Sequence, residues 1–248
     1  MTELRSLIAK PGADRNALKR AAAEAAVELV EDGMVVGLGT GSTAAFAIEA
    51  LARRHKQGLR FVGIATSERT AAKAAAAKIP LTSFRQHREI DLTIDGADEV
   101  ERATLNLIKG LGGALLREKI VAAASRCRAI IVDGIKLVDQ LGERIPVPVE
   151  VVEFGLEVTQ ARLEQLGATA RLRLSATGEP FVTDCGNCIL DCSFGIIHDA
   201  RRLEEQIKRI VGVVESGLFI DLADLVFVAD TAGVHRLNRA ASGSDLTK

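Results

Sequence analysis

Apolar and polar positions fall into two alternating rhythms along the first half of the chain. Residues 17–31, 43–55, 67–78 and 113–125 repeat their apolar positions at helical spacing, while 34–38, 60–65, 81–84, 91–94 and 129–132 are short apolar runs of strand length. Strands that alternate with helices in this way predict a doubly wound parallel sheet, an α/β fold of Rossmann-like type. The rhythm changes at "RIPVPVEVVEFG", where Pro146 and Pro148 interrupt an apolar stretch and mark a domain boundary. Beyond it the pattern predicts strands over 147–152, 170–174 and 213–220, a strand pair over 181–192, and helices over 156–166 and 200–210. That order is close to a split βαβ sandwich, a second and smaller ferredoxin-like α+β domain. The run "DLVFVAD" has the look of a buried strand that returns to the first sheet. The division expected is therefore 1–145 plus 221–248 for the larger domain and 146–220 for the smaller.

Open sheets of this kind bind ligands at the carboxyl ends of their strands, and "VGLGTGSTAAFAI" sits at such an end. Gly37, Gly39 and Gly41 let the backbone approach a ligand closely. Ser42 and Thr43 open the next helix, whose free N–H groups and positive dipole end favour an anion. The loop reads as a cradle for a phosphate or carboxylate. A Walker A loop would need a lysine that is absent, and the dinucleotide fingerprint needs glycine where Ser42 stands. An NAD-dependent oxidoreductase also lacks its acidic ribose partner, since Ala65, Thr66 and Ser67 follow the second strand.

Composition narrows the partners. The 248 residues are 48% hydrophobic, carry a net charge of -1, and include no Trp, no Tyr and 3% aromatics, which leaves neither a basic field nor a stacking surface for nucleic acid. The opening "MTELRSLIAKPGADR" has no apolar leader core and no stretch has membrane-spanning length, so a cytoplasmic protein is expected. Cys185, Cys188 and Cys192, with His198 beyond, can be drawn as a metal site; burial of free cysteines beside a Gly186-Asn187 turn is the favoured reading, and a Cys185–Cys188 disulfide is disfavoured in a reducing compartment.

Two carboxylate groups stand out. Asp95 and Asp98 in "TIDGADEV" follow an apolar strand directly and so emerge at the same rim as the glycine loop, either as partners for hydroxyl groups or as a solvated Asp-Gly turn. Glu118 in "REK" lies on a helix that is apolar nearly all round. One of Arg117, Glu118 and Lys119 must sit in poor solvent, unless all three share a solvated edge. A buried carboxylate has its pKa raised toward what a general base near neutral pH requires. The four histidines lie outside these motifs, so carboxylates and lysines would do any proton work.

The set "GLGTGSTAAFAI", "ATSERTAAKA", "TIDGADEV", "LIKGLGGALLREKI", "KLVDQLGE" and "PVPVEVV", with "TDCGNCILD" and "GVVESGLF" further on, resembles the A-type ribose-5-phosphate isomerases over essentially the whole chain. The resemblance implies the two-domain fold, a homodimer or homotetramer, no metal or organic cofactor, and interconversion of ribose 5-phosphate and ribulose 5-phosphate in the pentose phosphate pathway. It also implies Glu118 as the base and Thr40, Gly41, Ser42 and Thr43 as a substrate loop. Asp95, Gly96, Ala97 and Asp98, then Lys109, Gly110, Leu111 and Gly112, match two further substrate segments. Lys136 and Lys19 match lysines near the phosphate. In that chemistry Lys109 and the glycine N–H groups around it would support the oxyanion, and Asp95 would assist ring opening. Two positions depart from the family pattern: Ile135 stands where serine precedes the lysine, and Cys185 replaces the asparagine of "DNGN". The competing class is a sugar-phosphate sensor domain without catalysis, which would need a DNA-binding segment ahead of it and would have no use for Glu118.

Overall fold

The computed structural model describes residues 14–239. The opening stretch read for a leader, and the outer ends of the larger domain's bounds at 1–13 and 240–248, lie outside the described residues.

Asp14 caps the first helix, α1 (Arg15–Val27), by accepting from Asn16 N–H at 2.9 Å. The alternation then runs β1 (Val35–Leu38), α2 (Ser42–Lys56), β2 (Val62–Ala65), α3 (Glu68–Ala76) and β3 (Ile90–Gly96). Two short strands follow, β4 (Glu99–Glu101) and β5 (Leu107–Ile108), before α4 (Leu115–Ala123), β6 (Ser125–Asp133) and β7 (Leu137–Val138). The next block is β8 (Val147–Val151), α5 (Leu156–Gln165), β9 (Thr169–Leu172), β10 (Cys188–Ser193), α6 (Ala200–Lys208) and β11 (Val213–Ser216). The described chain closes with β12 (Leu218–Phe219), β13 (Leu225–Asp230) and β14 (Gly233–Asn238).

Six strands form the larger sheet in the order β14-β13-β6-β3-β1-β2, parallel throughout except for β14 at the edge. Small residues of α1 and α2, among them Ala22, Ala23, Ala26 and Ala47, pack together with Leu51 against Leu38, Ile94 and Ala129 over one face. Val121 of α4 packs with Val35, Ile64 and Ile90 on the other. Helices on both faces leave the carboxyl ends of the strands as the accessible edge. Strand order reverses between β1 and β3, which opens a crevice there.

The second sheet, β11-β8-β10-β9, is antiparallel and carries α5 and α6 in a βαββαβ chain order, the ferredoxin-like arrangement. A third small sheet, β12-β5-β4-β7, joins the other two.

Several expected elements differ. Residues 81–84 form one bridge, Gly63 to Leu81, because the chain turns at once through Ser83, whose carbonyl accepts from Gln86 and His87 N–H. The pair expected over 181–192 has only β10 as a continuous strand, with Val182 bridging Cys188 across the turn at Gly186, φ +79°. The apolar run 213–220 divides at Gly217, where a Cβ would meet the Lys109 carbonyl oxygen at 2.3 Å. There the backbone passes from the second sheet into the third. Strand β14 was not foreseen, since its exposed pattern alternates without a clear apolar face.

Candidate active site

The loop after β1 is shaped by close approach. A Cβ at Gly39 would lie 2.2 Å from Asp95 Oδ1, so only glycine lets β1 and β3 end side by side. Gly41, with φ +123°, starts α2 with no side-chain cap. The first N–H groups of that helix are therefore available to an anion. Thr40 is buried, and its hydroxyl lies within 2.7 Å of Thr66 Oγ1, 2.8 Å of Ser67 Oγ and 3.1 Å of Thr70 Oγ1. Thr70 Oγ1 in turn donates to the Gly39 carbonyl and Thr66 Oγ1 to that of Leu38. The "ATSERT" segment thus fastens the loop from behind, a role its sequence did not announce.

Asp95 ends β3 almost fully buried. Its Oδ1 accepts from Thr40 N–H at 3.1 Å and Gly96 N–H at 2.7 Å, and its Oδ2 is 3.0 Å from Lys109 Nζ. Lys109 also donates to the Gly96 carbonyl at 2.6 Å and lies 3.4 Å from Glu118 Oε2. That last contact is a long one, and Glu118 Oε2 makes no other polar contact among the described residues. A buried acceptor so weakly satisfied has capacity left for a further donor.

Burial raises the Glu118 carboxyl to about 8, with Asp95 and Asp98 adding to the effect and Lys109 opposing it. Burial also raises Asp95, against Lys109 and the two backbone donors. For Lys109 burial works to lower the pKa, but Asp95, Glu118 and Asp98 together push it above the ordinary lysine value, so it stays a cation. Both Glu118 and Lys119 are buried, where the sequence required only one of the "REK" triplet to be. Lys119 spends its charge on Glu204, Glu215 and the Leu218 carbonyl and takes no part in the cavity.

A cavity of about 130 Å³ gathers most of the expected residues: Lys19, Thr40, Gly41, Ser42, Thr43, Gly96, Ala97, Asp98, Lys109, Gly110, Gly112, Glu118 and Lys136. Two are not in its wall. Asp95 lies behind it, and the exposed Leu111 contributes its N–H to Asp98 Oδ2 at 3.0 Å. Lys19 Nζ donates to Ser42 Oγ at 2.9 Å, and Lys136 Nζ is 3.9 Å from Asp98 Oδ1. Arg15, not foreseen, completes the basic side of the cavity and is held by Asp133 Oδ2 at 3.1 Å. The signal was available, because Arg15 precedes Lys19 by four residues and so shares its helix face.

The three clustered cysteines lie apart from this wall. Cys188 and Cys192 are buried on β10, Cys185 is exposed, and all are free. Burial pushes the Cys192 thiol up to about 12, and no group of three or more His, Cys, Asp or Glu side chains among the described residues is placed to hold a metal ion. Replacing Cys185 with Asn and Cys188 and Cys192 with Ala is expected to keep kcat within a few-fold. The melting temperature should fall by a few degrees, since two buried side chains shrink. A loss of activity together with loss of stoichiometric zinc would overturn this.

The family model described as ribose 5-phosphate isomerase A (phosphoriboisomerase A) matches residues 62–233. The ribose-5-phosphate isomerase A of Gluconobacter oxydans (strain 621H) is 58% identical over 224 residues, 90% of this chain and 97% of that protein. Among solved structures, ribose 5-phosphate isomerase A from Methanocaldococcus jannaschii superposes with a TM-score of 0.86 at 43% identity, covering 90% of this chain and 98% of the other. A D-ribose-5-phosphate isomerase in complex with phospho-erythronic acid gives a TM-score of 0.89 at 40% identity, covering 92% and 100%.

Proposed function

The chain belongs to the ribose 5-phosphate isomerase A family and interconverts ribose 5-phosphate and ribulose 5-phosphate, and from that premise we propose which residues carry the reaction. Glu118 takes the proton from C2 of the open-chain aldose. The electron pair moves through C1 onto the aldehyde oxygen and leaves an enediolate. Glu118 then returns the proton to C1 while the hydroxyl proton on O2 passes to O1, so that the ketone forms at C2. Lys109 stabilises the negative oxygen as a fixed cation, and the backbone N–H groups around Gly110 to Gly112 assist it. The observation that carries this reading is the buried carboxyl of Glu118, raised by burial to about 8 at the wall of a cavity, with Lys109 3.4 Å away.

Asp98 presents its carboxylate to the cavity and is our choice for the ring oxygen during ring opening. Asp95, expected there from the resemblance, lies behind the wall; we assign it the task of holding Lys109 and the Thr40 amide. We assign the phosphate to the start of α2, where Ser42 and Thr43 would supply short-range bonds and Lys136, Lys19 and Arg15, all lining the cavity, would supply charge. Phospho-erythronic acid, bound by the relative, should compete for the same site here.

The division into 1–145 plus 221–248 and 146–220 belongs to the same reading, supported by the separate apolar clusters beneath the two larger sheets. So do a cytoplasmic location and a place in the pentose phosphate pathway. Assembly as a homodimer or homotetramer is supported by exposed Phe154, Val158 and Val211, which gather on one side of the second sheet's helices. No helix among the described residues is long and apolar enough to cross a membrane.

Incubation of the purified chain with ribose 5-phosphate, with and without EDTA, tests the reaction and its independence of metal together. No ketose would defeat the isomerase reading, and loss with EDTA would defeat the metal-free one. For the phosphate, Lys136→Ala and Thr43→Val should each raise KM for ribose 5-phosphate by about tenfold while turnover of unphosphorylated ribose changes little. Part of the affinity should survive high salt, because the helix-start contacts are short-range. An unchanged ratio of kcat/KM between the two sugars would place the phosphate elsewhere.

A further inference from the structure

Arg173 follows β9 in the antiparallel sheet and reaches across to the loop after β5. Asp191 of β10 holds it from behind: Nε donates to Oδ2 at 2.9 Å and Nη2 donates to Oδ1. The free end, Nη1, donates to the carbonyl oxygens of Gly110 at 2.8 Å and Leu111 at 3.2 Å. The side chain is 12% exposed, so the guanidinium works largely out of water. Phe181 stands beside it with its ring centroid 6.0 Å away, and presses on Gly113, where a Cβ would meet the ring at 2.3 Å. The loop between β5 and α4 is therefore gripped at Gly110, Leu111 and Gly113 by two side chains from the 146–220 segment.

The consequence follows from peptide geometry. In a trans peptide the C=O and N–H of one unit point in opposite directions. In the first unit the Gly110 carbonyl faces Arg173, and the Leu111 N–H on the opposite side donates to Asp98. In the next unit the Leu111 carbonyl again faces Arg173, so the Gly112 N–H is turned away from it. Gly112 lines the cavity, and its N–H donates to no group among the described residues. A preorganised, unpaired backbone donor at a reaction cavity has the form of an oxyanion site.

We propose that Arg173, backed by Asp191, is a positioning residue that aims the Gly112 N–H at the oxygen that becomes negative in the enediolate. The inference rests on the assignment of Glu118 and Lys109 to the proton transfer. It makes the smaller sheet part of catalysis without any of its side chains touching the reacting atoms. A clamp that served stability alone would lower melting temperature, or substrate affinity, without a specific effect on turnover. An aiming device lowers turnover because the misdirected donor matters only when charge develops.

The test uses the full chain and three variants, Arg173→Met, Arg173→Lys and Asp191→Asn, with kcat, KM and inhibition by phospho-erythronic acid measured at a temperature where each is folded. For Arg173→Met we expect kcat to fall about tenfold to a hundredfold, with KM within about threefold. Inhibitor affinity should fall alongside kcat, because the carboxylate of the probe takes the place of the charged enediolate. Arg173→Lys, which can reach one carbonyl, should recover part of kcat, and Asp191→Asn should fall in between. If Arg173→Met does not fold, the other two variants decide the same split. Unchanged kcat, or a rise in KM with kcat held, would overturn the proposal while leaving the isomerase assignment intact. An active wild type in which Glu118→Gln also keeps its turnover would overturn both the assignment of Glu118 and the proposal that rests on it, with the isomerase activity itself standing.

Discussion

Glu118→Gln is expected to lower kcat by about a hundredfold or more while KM moves only a few-fold, since the amide keeps the shape of the side chain and loses the proton acceptor. The pH profile separates this from a packing effect. The base must be ionised to act, and burial holds Glu118 at about 8. In the free enzyme kcat/KM should therefore rise with pH up to about 8, at about tenfold per pH unit on the acid side. The variant should lose that limb. Stability runs the other way. With a folded pKa above the ordinary 4.5, the stability contributed by protonated Glu118 is complete below about pH 4.5 and is lost as pH rises through about 8. The Gln variant escapes that loss and should melt higher than wild type at pH 8. Turnover within a few-fold of wild type would remove Glu118 from the role.

Lys109→Met is expected to damage both activity and the fold. The ammonium lies 3.0 Å from Asp95 and 3.4 Å from Glu118, and all three side chains are at most 5% exposed. Removing one member of a buried ion pair leaves an uncompensated charge and costs about 3–5 kcal/mol, which for a chain of this size lowers the melting temperature by about 10 °C. Part of that cost is avoided if Asp95 takes up a proton, so the destabilisation should be smaller at low pH. Turnover should fall by two to three orders of magnitude, on the order of what loss of an oxyanion donor costs. The acid limb of any residual activity should move to higher pH, because Glu118 has lost the cation that opposed its burial. A variant that melts like wild type at neutral pH would show that the ion pair is not formed in solution.

Much of the site was legible because its chemistry is local. A glycine loop at a strand end, a carboxylate just after an apolar run and a charged residue on an apolar helix are all signals within a dozen residues, and the fold brings them to one crevice by the rule that governs doubly wound sheets. What the sequence did not show depends on distant pairing. Gly217 divides an unbroken apolar run into strands of two different sheets, and nothing in periodicity separates one buried strand from two. The strands of the third sheet are too short for any period to register. Arg15 was visible in principle, one helical turn before Lys19. Arg173 was not, because only tertiary geometry turns an arginine 61 residues after Gly112 into a partner of that loop.

The position of β6 inside the large sheet also has a consequence for the growing chain. All the residues assigned to proton transfer and phosphate binding have been synthesised once Lys136 is added, yet β13, the strand that covers the free side of β6, begins only at Leu225. Domains generally fold as units during synthesis at about 5–20 residues per second, so the nascent protein holds its whole chemical inventory for on the order of ten seconds before the last parallel strand arrives. During that interval the apolar edge of β6 is open to any other strand. The loop at Gly110 to Gly113 also waits for Arg173 and Phe181. The ribosome delivers the reactive groups early and their alignment late.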